Sequence, residues 1–355
     1  MAGENKMQVP PLILTKLISP SPAPTFMRRA SFIKRIKLSS QVKLTLLHSG
    51  AGYGKSSNLS SYFHDTRSIH SYSWSSVTEE DDDILPFLKY LTASIQQVIP
   101  TFGQSIDWRG LSTFPKEKEL KRWIALFVNE LCVIDEPLSV VIDDFHHVDH
   151  VFHINYVLEK IIEFMPASIH FIIATRTLLR WPSLLKLKLA GQICEITEED
   201  FIFSEEEVAV FFEDYFNHLL TGEEAANIVQ LTEGWAIAIN LLAIHMTDSE
   251  KPFTTAMKPA LYDLFSYLSE EVYTNMSEEE RAWLLSFSIF PVFSIQLIHD
   301  FYGEPAVEAL QSLAGRHIFI QSLGDDGTYR YHALFQQFLE RKWQSQPPSL
   351  PMDRP

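Results

Sequence analysis

Two cysteines in 355 residues, Cys132 and Cys194, are too few and too far apart for a disulfide framework or a zinc pattern. Such sparse use suits a reducing cytoplasm, which is the expected compartment. No stretch approaches the roughly 20 consecutive apolar residues that a membrane-crossing helix needs, and no apolar signal core precedes the N-terminal prolines, so no membrane partner is expected. Positive charge is also scarce: 29 Lys and Arg stand against 45 Asp and Glu, a formal net charge of −16. Cationic side chains supply most non-specific affinity for a phosphate backbone, so this chain is not expected to contact nucleic acid directly. Nor is there a repeat at the periods of solenoids or propellers.

What the chain has in quantity is apolar surface, 46% of its residues, with 25 Phe, 12 Tyr and 7 Trp. That excludes general disorder, and the length exceeds what one core usually serves, about 250 to 300 residues. Residues 1–11 and 346–355 are polar or proline-rich and read as loose ends. Between residues 12 and 203, short apolar runs alternate with longer amphipathic ones, the pattern of β-α units around a parallel sheet. The predicted strands are 43–48, 71–75, 138–143, 169–175 and 192–197. Residues 204–270 lose the strand signal. Ser204 with Glu207 and Thr221 with Glu224 form capping boxes, and Val208, Phe211, Phe212 and Tyr215 share one helical face, predicting a helical domain. Residues 271–345 open with another box, Ser277 and Glu280, then read as short helices, a hairpin turning at 324–327 and a last helix from His332. Helices followed by a two-stranded wing predict a winged-helix domain.

Residues 49–57 read Ser-Gly-Ala-Gly-Tyr-Gly-Lys-Ser-Ser, directly after an apolar strand and directly before a helical stretch. In a phosphate-binding loop of this kind, Gly52 and Gly54 let backbone N–H groups turn toward phosphates. Lys55 reaches the β- and γ-phosphates, and the Ser56 hydroxyl holds Mg²⁺. The candidate nucleotide contacts are therefore Gly50, Ala51, Gly52, Tyr53, Gly54, Lys55, Ser56 and Ser57. Ser49 departs from the strict pattern, which has glycine there. A second apolar strand ends in Asp143 and Asp144. Two carboxylates at a buried strand end are costly unless a cation or water chain needs them. Asp143 is the expected partner of Ser56 in holding Mg²⁺, and Asp144 is the candidate general base that orients the attacking water. A third strand ends in Arg176, which would reach the γ-phosphate if its strand lies between the other two. Lys55, Asp144 and Arg176 are thus the candidate catalytic set. His146, His150 and His153 would share a helix face, read as solvated rather than as a metal site, and Glu79–Asp83 reads as a solvated acidic loop.

Taken together these motifs resemble the STAND class of signal-transduction ATPases, specifically the nucleotide-binding modules of MalT-like, LuxR-family regulators. The resemblance rests on residues 49–56, Trp74 before the acidic run 79–83, Val-Ile-Asp-Asp-Phe-His at 141–146, Ala-Thr-Arg at 174–176, Glu-Gly-Trp-Ala at 233–236 and Tyr-His-Ala-Leu-Phe at 331–335. Gly50 and Ala333 stand where the family usually has proline. The resemblance implies a P-loop domain, a helical domain and a winged-helix domain that clamp ADP at rest. An inducer, of unknown identity, then permits exchange for ATP and self-association, and slow ATP hydrolysis resets the state. It also implies that Arg29 lies near the nucleotide and that His332 touches the β-phosphate of ADP. The sensor arm and LuxR helix-turn-helix usual in the family are not seen in these residues, which read as an isolated switch module. The rival expectation is a P-loop kinase or fast ATPase with an acceptor pocket over its sheet.

Overall fold

The computed structural model describes residues 11–66, 71–106, 108, 115–247, 253–316, 318–324 and 326–345. Residues 1–10 of the loose end predicted at 1–11, the end predicted at 346–355, and Asp325 of the predicted turn lie outside the described residues.

The first region is built from α1 (Ala30–Ser39), β1 (Leu44–His48), α2 (Lys55–Thr66), β2 (Ser71–Ser76), α3 (Ile84–Gln96), α4 (Glu117–Cys132), β3 (Leu138–Asp143), α5 (Phe152–Phe164), β4 (Ile169–Thr175), α6 (Leu184–Leu189) and β5 (Ile193–Ile196). The five strands form one sheet in the order β2-β3-β4-β1-β5, with all pairs parallel. All seven residues of β4 are buried, as befits a central parallel strand covered on both faces. Alternate strand residues feed two cores. Leu44, Leu46, Val140, Ile142, Phe171 and Ile173 face α3, α4 and α5. Leu47, Val141, Ile172 and Ala174 face α1, α2 and the rest of the molecule.

The second region follows as α7 (Glu205–Phe216), α8 (Gly222–Thr232), α9 (Ala236–Thr247) and α10 (Phe253–Leu268). The predicted capping boxes of α7 and α8 are present, with Ser204 and Thr221 accepting from the backbone of Glu207 and Glu224. Helix α9 is strongly apolar and buries Ala238, Ile239, Leu242, Ala243 and Met246 between the two cores, with Ile244 on its open side. One wide turn of π-helix, Ser269–Tyr273, leads out of α10, with Thr274 N donating to Ser269 O at 2.9 Å.

The last region contains α11 (Glu278–Phe287), β6 (Phe293–Ser294), α12 (Ile295–Tyr302), α13 (Glu304–Gly315), β7 (Ile320–Ser322), β8 (Thr328–Tyr331) and α14 (Ala333–Ser345). The wing has three strands, β6-β8-β7, rather than the two predicted. The two-residue β6 is too short to leave a period in the sequence. One continuous apolar core runs from the α1–α2 face of the sheet, through Trp235, into the winged helix at Phe319, Tyr331 and Phe335. This shared core brings all three regions against the loop after β1.

Two readings of the charged stretches are corrected. Asp81, placed in a solvated acidic loop, is only 3% exposed and pairs with Lys16 at 2.8 Å. His146 and His147 lie in a short 3-10 turn, Phe145–His147, and not on the helix that carries His153. His146 is largely buried rather than solvated. No group of three or more metal-ligating side chains occurs among the described residues.

Candidate functional site

The Ser49–Lys55 loop joins β1 to α2, and Lys55 is the first residue of that helix. Gly52 and Gly54 have φ of 75° and 85°, a conformation that side chains with a Cβ disfavour. Lys55 Nζ turns back into the loop and donates to the carbonyls of Ser49 at 2.7 Å and Gly50 at 3.0 Å. Burial, then the charge of Arg176, lowers the Lys55 pKa to about 8. The ammonium therefore predominates at neutral pH and below. Asn58 closes the loop from within α2 by donating to Gly54 O at 2.8 Å. Ser57 lies on the exposed side of the helix.

Strand β4 lies between β1 and β3, the order that Arg176 requires. The adjacency of β1, β4 and β3 sets the loop, Arg176 and Asp143–Asp144 along one edge of the sheet. Ser56 Oγ donates to Asp143 Oδ1 at 2.8 Å. Burial, then the neighbouring Asp144, raises the Asp143 carboxyl to about 7. A hydroxyl and a buried carboxylate at this separation are the hard oxygen donors that Mg²⁺ takes, so the pair fits that ion. Asp144 has the left-handed backbone, φ 56° and ψ 37°, and its Oδ1 lies 3.9 Å from His146 Nδ1. That backbone turns the chain sharply at the second carboxylate, directly after β3, a strain frequent at working sites.

The helical and winged-helix regions close over the loop. Trp235 Nε1 donates to Ala51 O at 3.0 Å, and Ile237 N donates to Gly52 O at 3.2 Å. The Trp235 ring, fully buried, meets Phe319 at 4.9 Å and His332 at 5.3 Å between centroids. His332 Nδ1 accepts from Leu334 N at 3.2 Å, which leaves Nε2 as the donor to Thr232 O at 3.1 Å. Burial lowers its pKa, in keeping with a neutral ring. Tyr53 of the loop donates to Glu198 at 2.8 Å. Glu233 takes both terminal nitrogens of Arg330 at 2.9 and 2.8 Å, and the N–H of Ala333 at 2.9 Å. Gly234 needs its positive φ of 73°, and a Cβ there would lie 2.7 Å from Phe203 O.

Arg29 is occupied differently from its expected role. Its guanidinium is bound by Glu207 at 2.9 and 2.8 Å, by Asp200 O at 3.2 Å and by Ile202 O at 2.7 Å, and lies over the Phe203 ring. All these partners belong to the 200–207 segment, at the entry to the helical region. Sequence reasoning passed over Asn58, Glu198 and the Glu233–Arg330 pair, and read Trp235 as a buried ring packing at the domain interface rather than as part of the site. Glu-Gly-Trp at 233–235 was visible as a motif, but nothing in it told that the indole would reach the phosphate loop.

Beside this junction lies a cleft of about 1230 Å³. It runs from Ala51 and Arg176 along the segments after β3 and β4 to the end of α13 and the π-helical turn.

Residues 269–351 match the family described as the MalT winged helix domain. Across 344 residues, 94% of the chain, it is 28% identical to the HTH-type transcriptional regulator MalT of Yersinia pestis (strain Pestoides F), of which that stretch is 37%. The chain is thus similar to MalT over nearly its whole length. The MalT of Yersinia enterocolitica serotype O:8 is 27% identical over the same share. The chain spans a little over a third of the length of those curated relatives. A solved Walker-type ATPase of Pyrococcus abyssi covers 92% of it, over the whole of that chain, with a TM-score of 0.61 and 16% identity, which shows a shared P-loop ATPase fold. No helix among the described residues is long and apolar enough to cross a membrane.

Proposed function

We infer that the chain is the ATP/ADP-operated switch module of a signal-responsive transcriptional regulator, locked with ADP at rest and ATP-bound when active. Its parts are a nucleotide-binding domain at 12–203, a helical domain at 204–270 and a winged-helix domain at 271–345. The observation that carries this reading is the chain of contacts Ala51–Trp235–His332, through which the winged helix reaches the phosphate loop. A plain enzyme has no need of such a connection. A two-state switch does, because a ligand shifts an equilibrium only through groups that differ between the states.

In this reading the backbone of Gly50–Gly54 and the N-terminus of α2, including Ser56 and Ser57, hold the phosphates. Lys55 leaves Ser49 O and Gly50 O to meet the β- and γ-phosphates. Ser56 and Asp143 would hold Mg²⁺, which supplies charge neutralisation at the phosphates. Asp144 orients the attacking water, and Arg176 distinguishes ATP from ADP by its charge-assisted hydrogen bonds. His332 transmits occupancy to the winged helix. Arg29 enters as the tie between the first domain and α7 rather than as a phosphate ligand. Hydrolysis is slow and resets the state. An inducer and self-association in the ATP state complete the cycle, with no direct contact between this chain and nucleic acid. The sparse use of cysteine supports a cytoplasmic location, since a reducing compartment gives no use for disulfides.

A kinase or fast ATPase remains the rival reading, because the 1230 Å³ cleft beside Arg176 is where an acceptor would sit. The two are separated by calorimetric titration with ADP and ATP combined with steady-state phosphate release. The switch reading expects tight binding, loss of binding in Lys55→Ala, and turnover far below the roughly 1 to 100 per second typical of kinases. Turnover in that range would transfer the assignment to the rival.

A further inference from the structure

The turn after β4 carries Arg176 and is fixed by hydrogen bonds that involve no phosphate-loop residue. Thr175, the last residue of β4, is fully buried. Its Oγ1 accepts from Thr177 N at 3.2 Å and lies 3.0 Å from Thr177 Oγ1. The Thr177 hydroxyl donates in turn to the Asp149 carboxylate, in the segment after β3. Each hydroxyl has one proton to give, so Thr175 is the donor to Thr177. The relay runs from a buried strand end to a carboxylate, and the charged acceptor makes its last bond the strong one.

Asp149 is itself held in place. Asn155 of α5 donates to Asp149 O at 2.7 Å and to Val151 O at 2.9 Å, and its Oδ1 accepts from Trp181 Nε1 at 2.7 Å. Further along, Ser183 N donates to Glu159 at 2.7 Å. The stretch after β4 is thus pinned to α5 and the turn before it at Thr177, Trp181 and Ser183. On its other side, Leu178 N donates to Gly315 O at the end of α13, at 3.2 Å. Between the two threonines stands Arg176, partly buried and without a carboxylate partner among the described residues. Burial, then the charge of this arginine, lowers the pKa of Lys55, as expected of a guanidinium near the phosphate loop. A guanidinium on a long flexible stem has many rotamers to lose before it can present its fork. Fixing the backbone at its base reduces that loss.

We propose that Thr177 and Asp149 are positioning residues for Arg176: their hydrogen bond fixes the turn so that the guanidinium meets the γ-phosphate of ATP, while neither side chain touches the nucleotide. This rests on the reading of Arg176 as the group that distinguishes ATP from ADP. ADP has no γ-phosphate for the arginine to meet, so the relay strengthens binding of ATP and leaves ADP unaffected. A contact that served only the fold would act on both nucleotides alike.

The test is competition of ADP, and of the non-hydrolysable β,γ-imido analogue of ATP, against a fluorescent ADP analogue on the 355-residue chain with Mg²⁺. The quantity read is the ratio of the two affinities. Arg176→Ala should lower the preference for the ATP analogue about tenfold or more, the size of a lost hydrogen bond to a charged group. Thr177→Val, which keeps the side-chain shape, should lower the same ratio about fivefold with ADP affinity unchanged, since a small misplacement of a positioned group is costly. Thr177→Ser keeps the hydroxyl and should keep the wild-type ratio, and Asp149→Asn, which keeps an acceptor without the charge, should fall between. Arg176→Ala combined with Thr177→Val should lose no more than Arg176→Ala alone, because Thr177 acts through the arginine. Equal loss of both nucleotides in Thr177→Val, or additive losses in the double variant, would overturn the proposal in favour of a purely structural contact. A wild-type ratio in Thr177→Val beside a lowered one in Arg176→Ala would overturn it as well. A wild-type ratio in Arg176→Ala would instead overturn the reading of Arg176 itself, and this inference with it. Should Thr177→Val not fold, Asp149→Asn decides by the same ratio.

Discussion

The ion pair between Glu233 and Arg330 joins the end of α8 to strand β8 of the wing, next to Trp235 and His332. Replacing Arg330 by Met keeps most of the apolar stem and removes two charge-assisted hydrogen bonds of 2.9 and 2.8 Å. Fully buried, such bonds contribute about 1.5 to 3 kcal/mol, whereas exposed pairs contribute about 0.2 to 1 kcal/mol. The Glu233 side chain is 18% exposed and that of Arg330 35%, so screening places the loss between these limits, at about 1 to 2 kcal/mol. Hydrogen bonds from Arg330 and the Ala333 N–H hold the Glu233 carboxyl below its usual range against the opposing effect of burial, which agrees with a net favourable pair. If the winged helix must part from α8 before nucleotide leaves, ADP release should accelerate about 5- to 30-fold. Stopped-flow release of a fluorescent ADP analogue measures this. A double-mutant cycle with Glu233→Gln isolates the pair from other effects of each change. An unchanged release rate, with the variant folded and ADP still bound, would refute the claim that this contact holds the closed state.

Gly52→Ala should lower stability by about 1 to 3 kcal/mol, the usual cost of a left-handed non-glycine residue, and weaken nucleotide binding. Its Cβ would stand 2.7 Å from Ile237 Cγ2 at φ 75°. An unaltered melting temperature and affinity would contradict the packing of α9 on the loop. His332→Ala should weaken ADP more than ATP in calorimetric titration, and equal loss for both would remove the switching role from that ring. His170 is buried, its Nε2 paired with Thr45 Oγ1 at 2.8 Å, and burial lowers its pKa from 6.5 to about 4. Between those values the unfolded chain takes up a proton that the folded chain does not, so stability falls as pH drops, by about 3 kcal/mol at most. Denaturant midpoints from pH 7 to 4 should therefore decline less steeply in His170→Asn, and identical slopes would show that His170 is not the group responsible.

The parts of this molecule that read clearly from sequence are those whose cause is local. The five parallel strands were predicted to within a residue at each end, because a strand buried on both faces is a short apolar run bounded by polar turns. The capping boxes at Ser204, Thr221 and Ser277 announced their helices for the same reason. The phosphate loop was legible because its glycines, lysine and serine act through the backbone of one short segment. What escaped depends on distance along the chain. Arg330 finds Glu233 and Trp235 finds Ala51 only after three domains have packed, and no local pattern marks either meeting. The π-helical turn at Ser269–Tyr273 differs from α-helix in one hydrogen bond, to which periodicity is blind. Asp81 and His146 were assigned to solvent on their polarity alone. Burial of Asp81 follows from Lys16 arriving from the N-terminal segment, and that of His146 from the anchoring of its turn by the buried Phe145 and Val148.

The central claim is that Lys55 and its loop hold a nucleotide under a closed winged helix. Denaturing the purified chain and identifying the released nucleotide by chromatography, in parallel with Lys55→Ala, tests it most directly. The account predicts ADP in equimolar amount from the wild type and none from the variant. Equal ADP from both would contradict the assignment of the site to Lys55, and none from either would contradict a locked resting state.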